Sequence, residues 1–292
     1  MKVFVTGASG FIGSAVVKEL IGAGHQVIGL ARSEESAKAI RDAGAEALLG
    51  GLEDLDILKQ GASAADGVIH TAFIHDFTQY AKANEVEKTA IRTLGEALKG
   101  TAKPIVVTAG ILFLPKTGGV VTEDDASPAG SMRSSETVAM KLAGEGIHAS
   151  VVRLPPSVHG NGDKGFVPFI IAMARKNGVS AYPGEGTNLW PAVHRLDAAK
   201  VFRLALEEGA VGARYNAVGE KGIEMKAIAG LIAEKLNLPL QSLTDDALLK
   251  HFEWMSGFIA SDSPAVSDRT REKLGWTPTN PGLLADMEQH YF

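Results

Sequence analysis

Two kinds of apolar pattern alternate along the first half of the chain. Residues 2–6 (KVFVT) form a short β-branched run that ends in glycines, the pattern of a parallel strand buried on both faces. Residues 11–23 (FIGSAVVKELIGA) place apolar side chains at helical spacing until Gly24 stops them. The pattern then predicts a strand over 25–32 (HQVIGLAR), a helix over 33–44, a strand over 46–51 (EALLGG) and another over 67–72 (GVIHTA). A long helical stretch from about 76 to 99 follows, then a strand over 103–110 (KPIVVTAG), a helix around 131–145 and a strand over 148–158 (HASVVRLPPSV). Such alternation predicts right-handed βαβ units and an α/β fold whose parallel sheet is covered on both faces. Beyond residue 158 the regularity weakens. The glycine-rich segment 159–187 reads as loops and short helices, residues 192–209 as a helix, 214–219 as a strand, and the remainder as mainly helical. No internal repeat, low-complexity segment or linker interrupts the chain.

Composition narrows the partners. Hydrophobic residues are 45% and charged residues 22% of 292, ordinary for a soluble globular protein. A net charge of −5 without a long basic run argues against nucleic acid. The absence of Cys excludes disulfides, thiolate metal sites and Cys nucleophiles, and suits a reducing cytoplasm. The start MKVFVTGASGFIG has no signal-peptide pattern, and no apolar run is long enough to span a bilayer. The expectation is a cytoplasmic protein with neither membrane nor nucleic acid as partner. The eight His residues lack metal-binding spacing, so no metal is expected. No G-x-S-x-G elbow supports a hydrolase.

The sharpest chemical signal is 6-TGASGFIG-13. Gly7 allows a tight turn off the first strand, Gly10 lets backbone approach a pyrophosphate, and Gly13 lets the following helix pack closely. The helix start then offers free N–H groups and a positive dipole end to phosphates. Strand, glycine turn and helix in this order are the context a dinucleotide-binding loop requires. The end of the second strand chooses the dinucleotide. An acid there would bind the ribose 2′-OH, but the chain has Leu30-Ala31-Arg32-Ser33. Arg32 can pair with a 2′-phosphate and Ser33 can donate to it, so NADP, with NADPH preferred over NADH, is the expected cofactor.

With these residues in view, the chain resembles the extended short-chain dehydrogenase/reductases, the NAD-dependent epimerase/dehydratase family. TGASGFIG matches the family's TGxxGxxG; VVRLPPSVHG (151–160), PAVHRLDAAKVFRLAL (191–206) and LGWTP (274–278) resemble its later segments in the right order. The resemblance implies a Rossmann-like doubly wound parallel sheet with a small, mainly helical C-terminal substrate lobe. It divides the chain into an NADP-binding domain, 1–158 plus about 188–219, and a lobe, about 159–187 plus 220–292. Cofactor contacts are expected from Gly7, Ser9, Gly10, Phe11, Ile12 and Gly13, from Arg32 and Ser33, and from Thr71, Ala72 and Phe73 after the fourth strand. Thr108, Ser135, Pro155, Pro156 and Val158 complete that set. The family also allows a homodimer.

The chain departs from the family in its chemistry. The family's Tyr gives a proton to the substrate oxygen and its Lys, four residues on, lowers the Tyr pKa and holds the ribose; both lie on one helix face. Here Tyr falls at Ser131 or Met132, Lys at Ser135, and the family's Ser/Thr near Gly110, with Thr108 two residues earlier. Substitute catalytic residues are sought in Thr108, Ser131, Arg133 and His75. His75 can titrate near neutrality and Arg133 can place a fixed charge near an alkoxide. Set against these roles, His75 and the two Ser can equally be caps, and Arg133 a solvated surface charge. His75, His159, Tyr182, Trp190 and His194 are expected to line a substrate pocket, whereas Asp197 reads as a helix buttress and His70 as a structural His. Lys164 and Arg175 are the only cations near that lobe suited to a diphosphate. The sequence therefore points to an NADPH-dependent reductase of a small ketone or aldehyde with a rearranged proton relay. A non-catalytic NADP(H)-binding sensor is the alternative, and a sugar-nucleotide epimerase or dehydratase the third reading.

Overall fold

The computed structural model describes residues 1–74, 79–128, 130–131 and 133–292. Along the first half, β1 (Lys2–Thr6), α1 (Phe11–Gly22), β2 (Gln26–Ala31), α2 (Glu34–Asp42), β3 (Glu46–Leu49), α3 (Leu55–Ala64), β4 (Gly67–His70), α4 (Tyr80–Ala97), β5 (Ile105–Gly110), α5 (Ser135–Gly144) and β6 (Ala149–Leu154) alternate. The second half holds β7 (Ser157–His159), α6 (Phe166–Asn177), β8 (Ser180–Pro183), β9 (Leu189–His194), α7 (Arg195–Glu208), β10 (Arg214–Asn216), β11 (Glu220–Glu224), α8 (Met225–Leu236), β12 (Leu240–Leu243), α9 (Asp245–Phe252), α10 (Ser256–Ile259), α11 (Asp268–Leu274) and α12 (Leu283–His290).

Seven strands form one sheet in the order β10-β6-β5-β4-β1-β2-β3, every pairing parallel. The order reverses between β1 and β4, and the crevice outside their carboxyl ends is where an open doubly wound sheet binds its ligand. Strand periodicity explains the two layers. Val3 and Val5 pack with α1 and α7 on one face, while Phe4 between them packs with α3, α4 and α5 on the other. The parallel sheet covered on both faces is the one the strand–helix alternation predicts, and its Rossmann-like order is the one the family resemblance implies.

Three expected elements differ. The run 148–158 is two strands, because Pro155 and Pro156 offer no backbone N–H; the chain leaves the large sheet at Leu154 and β7 pairs instead with β9. The stretch expected as a helix from 192 begins as a strand. In β9, Trp190 and Ala192 face the core of the second half while Val193 faces that of the sheet, so burial on both sides hides the period of two. The segment expected as loops and short helices contains α6, 12 residues long, and β8.

A third core gathers Val167, Ile170, Trp190, Met225, Ile228, Phe252, Ile259 and Met287 from α6, β9, α8, α9, α10 and α12. Asp197 acts as the expected buttress. It is buried at the start of α7 and accepts hydrogen bonds from the backbone of Thr279 (3.0 Å) and Asn280 (2.9 Å), which ties the C-terminal segment to the sheet. Among the described residues no helix is long and apolar enough to cross a membrane.

Candidate active site

One end of the crevice is built from main chain. Gly7 turns the chain at φ +71°, and its carbonyl accepts from Gly10 N at 2.9 Å. A Cβ on Gly13 would stand 2.0 Å from that carbonyl oxygen, so only glycine lets α1 start directly over the turn. No side chain caps α1 at Gly10, which leaves its first N–H groups for a ligand. Thr71 Oγ1 donates to the Thr6 carbonyl at 2.8 Å and lays the strand-end segment Thr71–Ala72–Phe73 beside the glycine turn. Ser9 and Gly10 are exposed, and Phe11 and Ile12 half-buried, with the Arg195 guanidinium 4.9 Å from the Phe11 ring centre. At the end of β2, Arg32 is exposed and, among the described residues, makes no ion pair or hydrogen bond. Ser33 caps α2, accepting from Ser36 N at 3.2 Å. Pro155 is buried, and Pro156 and Val158 half-buried, where the chain passes from the large sheet to β7. The uncapped helix start and the glycine cradle fit a dinucleotide.

The other end is built from side chains. Arg133, in the approach to α5, grips Glu87 of α4: Nε lies 3.2 and 3.1 Å from the two carboxylate oxygens, and Nη2 also donates to Oε1. The same guanidinium lies 4.5 Å from the centre of the Phe73 ring. Phe73 in turn packs on Tyr80, the first residue of α4, at 5.7 Å between centroids. Burial lifts the Glu87 carboxyl above its usual range, although Arg133 pulls it back. Burial also raises the Tyr80 phenol; the Arg133 charge lowers it and the Glu87 charge raises it. Beneath them, fully buried His70 bonds Thr6 Oγ1 through Nδ1 at 2.9 Å. Among the described residues its Nε2 has no hydrogen-bond partner, and it lies 4.0 Å from Glu87. Burial, helped by Arg133, pushes His70 down to about 3, so the ring is neutral. His70 is thus structural, as expected, but only half satisfied.

A second buried pair shapes the approach to α5. Arg153 of β6 holds Glu136 through Nε and Nη2, both at 2.7 Å, and donates to the carbonyls of Thr122 and Asp125. Burial raises the Glu136 carboxyl, but the Arg153 hydrogen bonds and charge outweigh it and hold it low. This pair fixes where α5 starts, at Ser135 rather than at 131.

The expected catalytic residues are not all brought to the crevice. His75 lies outside the described residues, as does Met132. Thr108 is buried and donates to the His70 carbonyl at 2.8 Å, so its proton is committed to the fold. Ser131 pairs with Ser127 Oγ and donates to the Pro128 carbonyl, both at 2.7 Å, and closes a turn. Ser135, expected at the ribose, is 1% exposed and its hydroxyl is enclosed without a partner. Of the four catalytic candidates, Arg133 is the one brought into the cluster with Glu87 and Phe73.

The expected pocket residues also separate. Trp190 is 0% exposed and belongs to the third core, the correction that follows from β9 being buried on both faces. His159 is buried against Asp286, with Nδ1 2.9 Å from Oδ2, and so fastens α12 instead of shaping a pocket mouth. His194 caps α7, accepting from Leu196 N, and its ring lies 5.4 Å from that of His159. Tyr182 is half-buried on β8 under the Lys226 ammonium. Two members of the polar end, Glu87 and Tyr80, escaped the sequence reading. A signal for Glu87 was present: it stands with Ala83, Ala90, Ile91 and Leu94 on the apolar stripe of α4, where a carboxylate needs a buried partner.

Comparison with known proteins places this architecture. The NAD dependent epimerase/dehydratase family matches residues 3–95. An uncharacterised protein of Schizosaccharomyces pombe is 46% identical over 98% of both chains. A 4-hydroxy-2-methyl-3-oxo-4-farnesyl-3,4-dihydroquinoline-1-oxide ketoreductase of Stigmatella aurantiaca is 25% identical over 94% of this chain and 92% of its own. The solved structure of MoeE5 with UDP-glucose and NAD superposes at a TM-score of 0.77 with 22% identity, covering 100% of this chain and 97% of that one. The chain belongs to the NAD-dependent epimerase/dehydratase family.

Proposed function

We propose that the protein is an NADPH-dependent reductase of a ketone or aldehyde in which Tyr80 replaces the family's missing proton donor. The observation that carries this reading is the Arg133 guanidinium, held by Glu87 and lying over the Phe73 ring, which itself packs on Tyr80 at 5.7 Å between centroids. Family membership and the ketoreductase named among the relatives support an oxidoreductase. Unpaired Arg32 at the end of β2, in a strand end without an acid, supports NADPH over NADH.

A bound reduced nicotinamide supplies hydride to the carbonyl carbon. The protein must then supply a proton and charge stabilisation. As the carbonyl electrons pass to oxygen, Tyr80 Oη–H gives that oxygen its proton. The raised phenol keeps Tyr80 protonated at neutral pH, ready to act as the acid. Arg133 stabilises the phenolate that remains, and solvent returns the proton. A positioned acid of this kind contributes about 10² to 10⁴ in rate.

The test is oxidation of NADPH by the purified protein against aromatic and aliphatic ketones and aldehydes, with NADH controls. Tyr80→Phe is expected to lower kcat by about 10² to 10³ with NADPH affinity unchanged. Full activity in that variant contradicts the assignment of Tyr80. Tight NADPH binding with no turnover in the natural chain would favour the sensor reading, which the absent Tyr-x-x-x-Lys pair motivates.

A further inference from the structure

Five aromatic rings from three separate stretches of chain meet beside the crevice. Phe113 lies three residues beyond the end of β5, Phe166 and Phe169 are on α6, and Trp254 and Phe258 lie just before and within α10. Ring centroids are 5.4 Å apart for Phe113–Phe258, 5.5 Å for Phe166–Phe258, 5.3 Å for Phe169–Trp254 and 5.9 Å for Trp254–Phe258, so the rings form one continuous wall. Its outer members remain open to solvent: Phe113 is 51% and Trp254 43% exposed.

Two features separate this wall from an incidental surface patch. Phe113 sits at φ +66°, a left-handed conformation that bulky side chains rarely adopt, and the strain exposes the ring rather than burying it. The loop that carries it is clamped to the second half of the molecule, by Lys116 on Asp262 at 2.6 Å and by Val121 N on the Pro264 carbonyl at 2.8 Å. The ring is therefore held in place. The wall is also poor in usable positive charge. Among the described residues no cation lies over the rings of Phe113, Phe166, Phe169 or Phe258, Lys116 and Lys176 are paired with Asp262 and Glu253, and Lys164, two residues before Phe166, is the nearest cation in sequence without an ion pair. On the rings themselves a nucleotide diphosphate would find no charge to grip, whereas an apolar group would find stacked, desolvatable faces.

We infer that this wall binds the apolar part of a lipophilic carbonyl substrate, aryl or long-chain alkyl, whose carbonyl reaches Tyr80 and Arg133. The inference rests on the reductase reading for the reaction but not for the binding site. Continuity with the crevice supports it, because β5 pairs parallel with β4, so the segments that carry Phe113 and Phe73 leave the carboxyl edge of the sheet from neighbouring strands.

Trp254 reports binding without turnover, since Trp190 and Trp276 are 0% and 2% exposed. The experiment follows tryptophan emission and thermal stability of the NADP-bound protein on titration with indanol and decanol, with UDP-glucose as the polar comparison. Saturable binding of the alcohols is expected, with no response to UDP-glucose. Phe113→Gly removes the ring and relieves the left-handed strain; it should leave the unliganded melting temperature unchanged or raised while weakening alcohol binding about tenfold or more. Unchanged affinity in Phe113→Gly, or saturable binding of UDP-glucose without the alcohols, would overturn the inference. So would an emission change that follows protein concentration alone and accompanies dimer formation in sedimentation, which would assign the wall to a second copy. Wall-dependent alcohol binding without reduction of the matching ketones and aldehydes would leave the site standing and defeat the reductase reading alone.

Discussion

The end of the crevice formed by β1, α1 and β2 is shaped by main chain, a glycine turn and an uncapped helix start, with one exposed Arg side chain beside them. The end formed by β4, α4 and the approach to α5 is built from side chains brought together from residues 70 to 133, with a carboxylate and a His buried among them. The first end keeps the family's TGxxGxxG pattern in TGASGFIG; the second lacks the Tyr-x-x-x-Lys pair. Main-chain recognition tolerates little change because a single Cβ closes the cradle. Side-chain chemistry can be relocated, provided each buried charge finds a partner.

Acid should have the largest effect, and it acts on the side-chain end. His70 titrates near 6.5 when unfolded and at about 3 when folded. Its contribution is fully present above the unfolded value and is lost as pH falls toward 3, on the order of 4 kcal/mol in all. Glu87, whose folded carboxyl is raised, acts oppositely and offsets part of the loss. Urea melts between neutral pH and pH about 4.5 should show a shallower slope for His70→Gln than for the natural chain; equal slopes would remove His70 from the account. Glu87→Ala comes next. It strands the Arg133 guanidinium and should cost about 2 to 3 kcal/mol, less than for a wholly buried pair because the Arg133 side chain is 25% exposed. The double variant Glu87→Ala/Arg133→Met should recover part of that in the same melts, and simple additivity would argue against coupling.

At the main-chain end, Gly13→Ala must push α1 off the Gly7 carbonyl. A loss of about 2 kcal/mol and a fall in NADPH affinity are expected together, by melting and by nucleotide titration. A variant that binds as tightly as the natural chain would show that the cradle is not needed. Arg32→Ala should have the smallest effect, confined to one ligand: about tenfold weaker NADPH, or about 1.4 kcal/mol, with NADH unaffected. Equal losses for both nucleotides would withdraw the NADP assignment.

This contrast also explains what could be read in advance. TGASGFIG, the strand–helix alternation and Arg32 are local signals, each resolved within a few residues. The doubly wound sheet and its dinucleotide end followed from them. The break at Pro155-Pro156 was visible too, but its consequence, a strand changing sheets, depended on β9, whose burial on both faces erased its periodicity. Glu87 and Arg133 are 46 positions apart, so no spacing rule joins them. Tyr80 opens a helix whose start the pattern put near 76, and no partner at i+4 drew attention to it. Thr108, Ser131 and Ser135 looked available because sequence shows a hydroxyl without showing that the fold has already enclosed or engaged it.

The most direct test compares single-turnover NADPH oxidation by the natural chain and by Tyr80→Phe on a shared ketone, with NADPH affinity measured alongside. A rate lower by about 10² or more at unchanged affinity is the expected result, and it would locate the proton donor on α4. Equal rates in the two proteins would contradict the central claim.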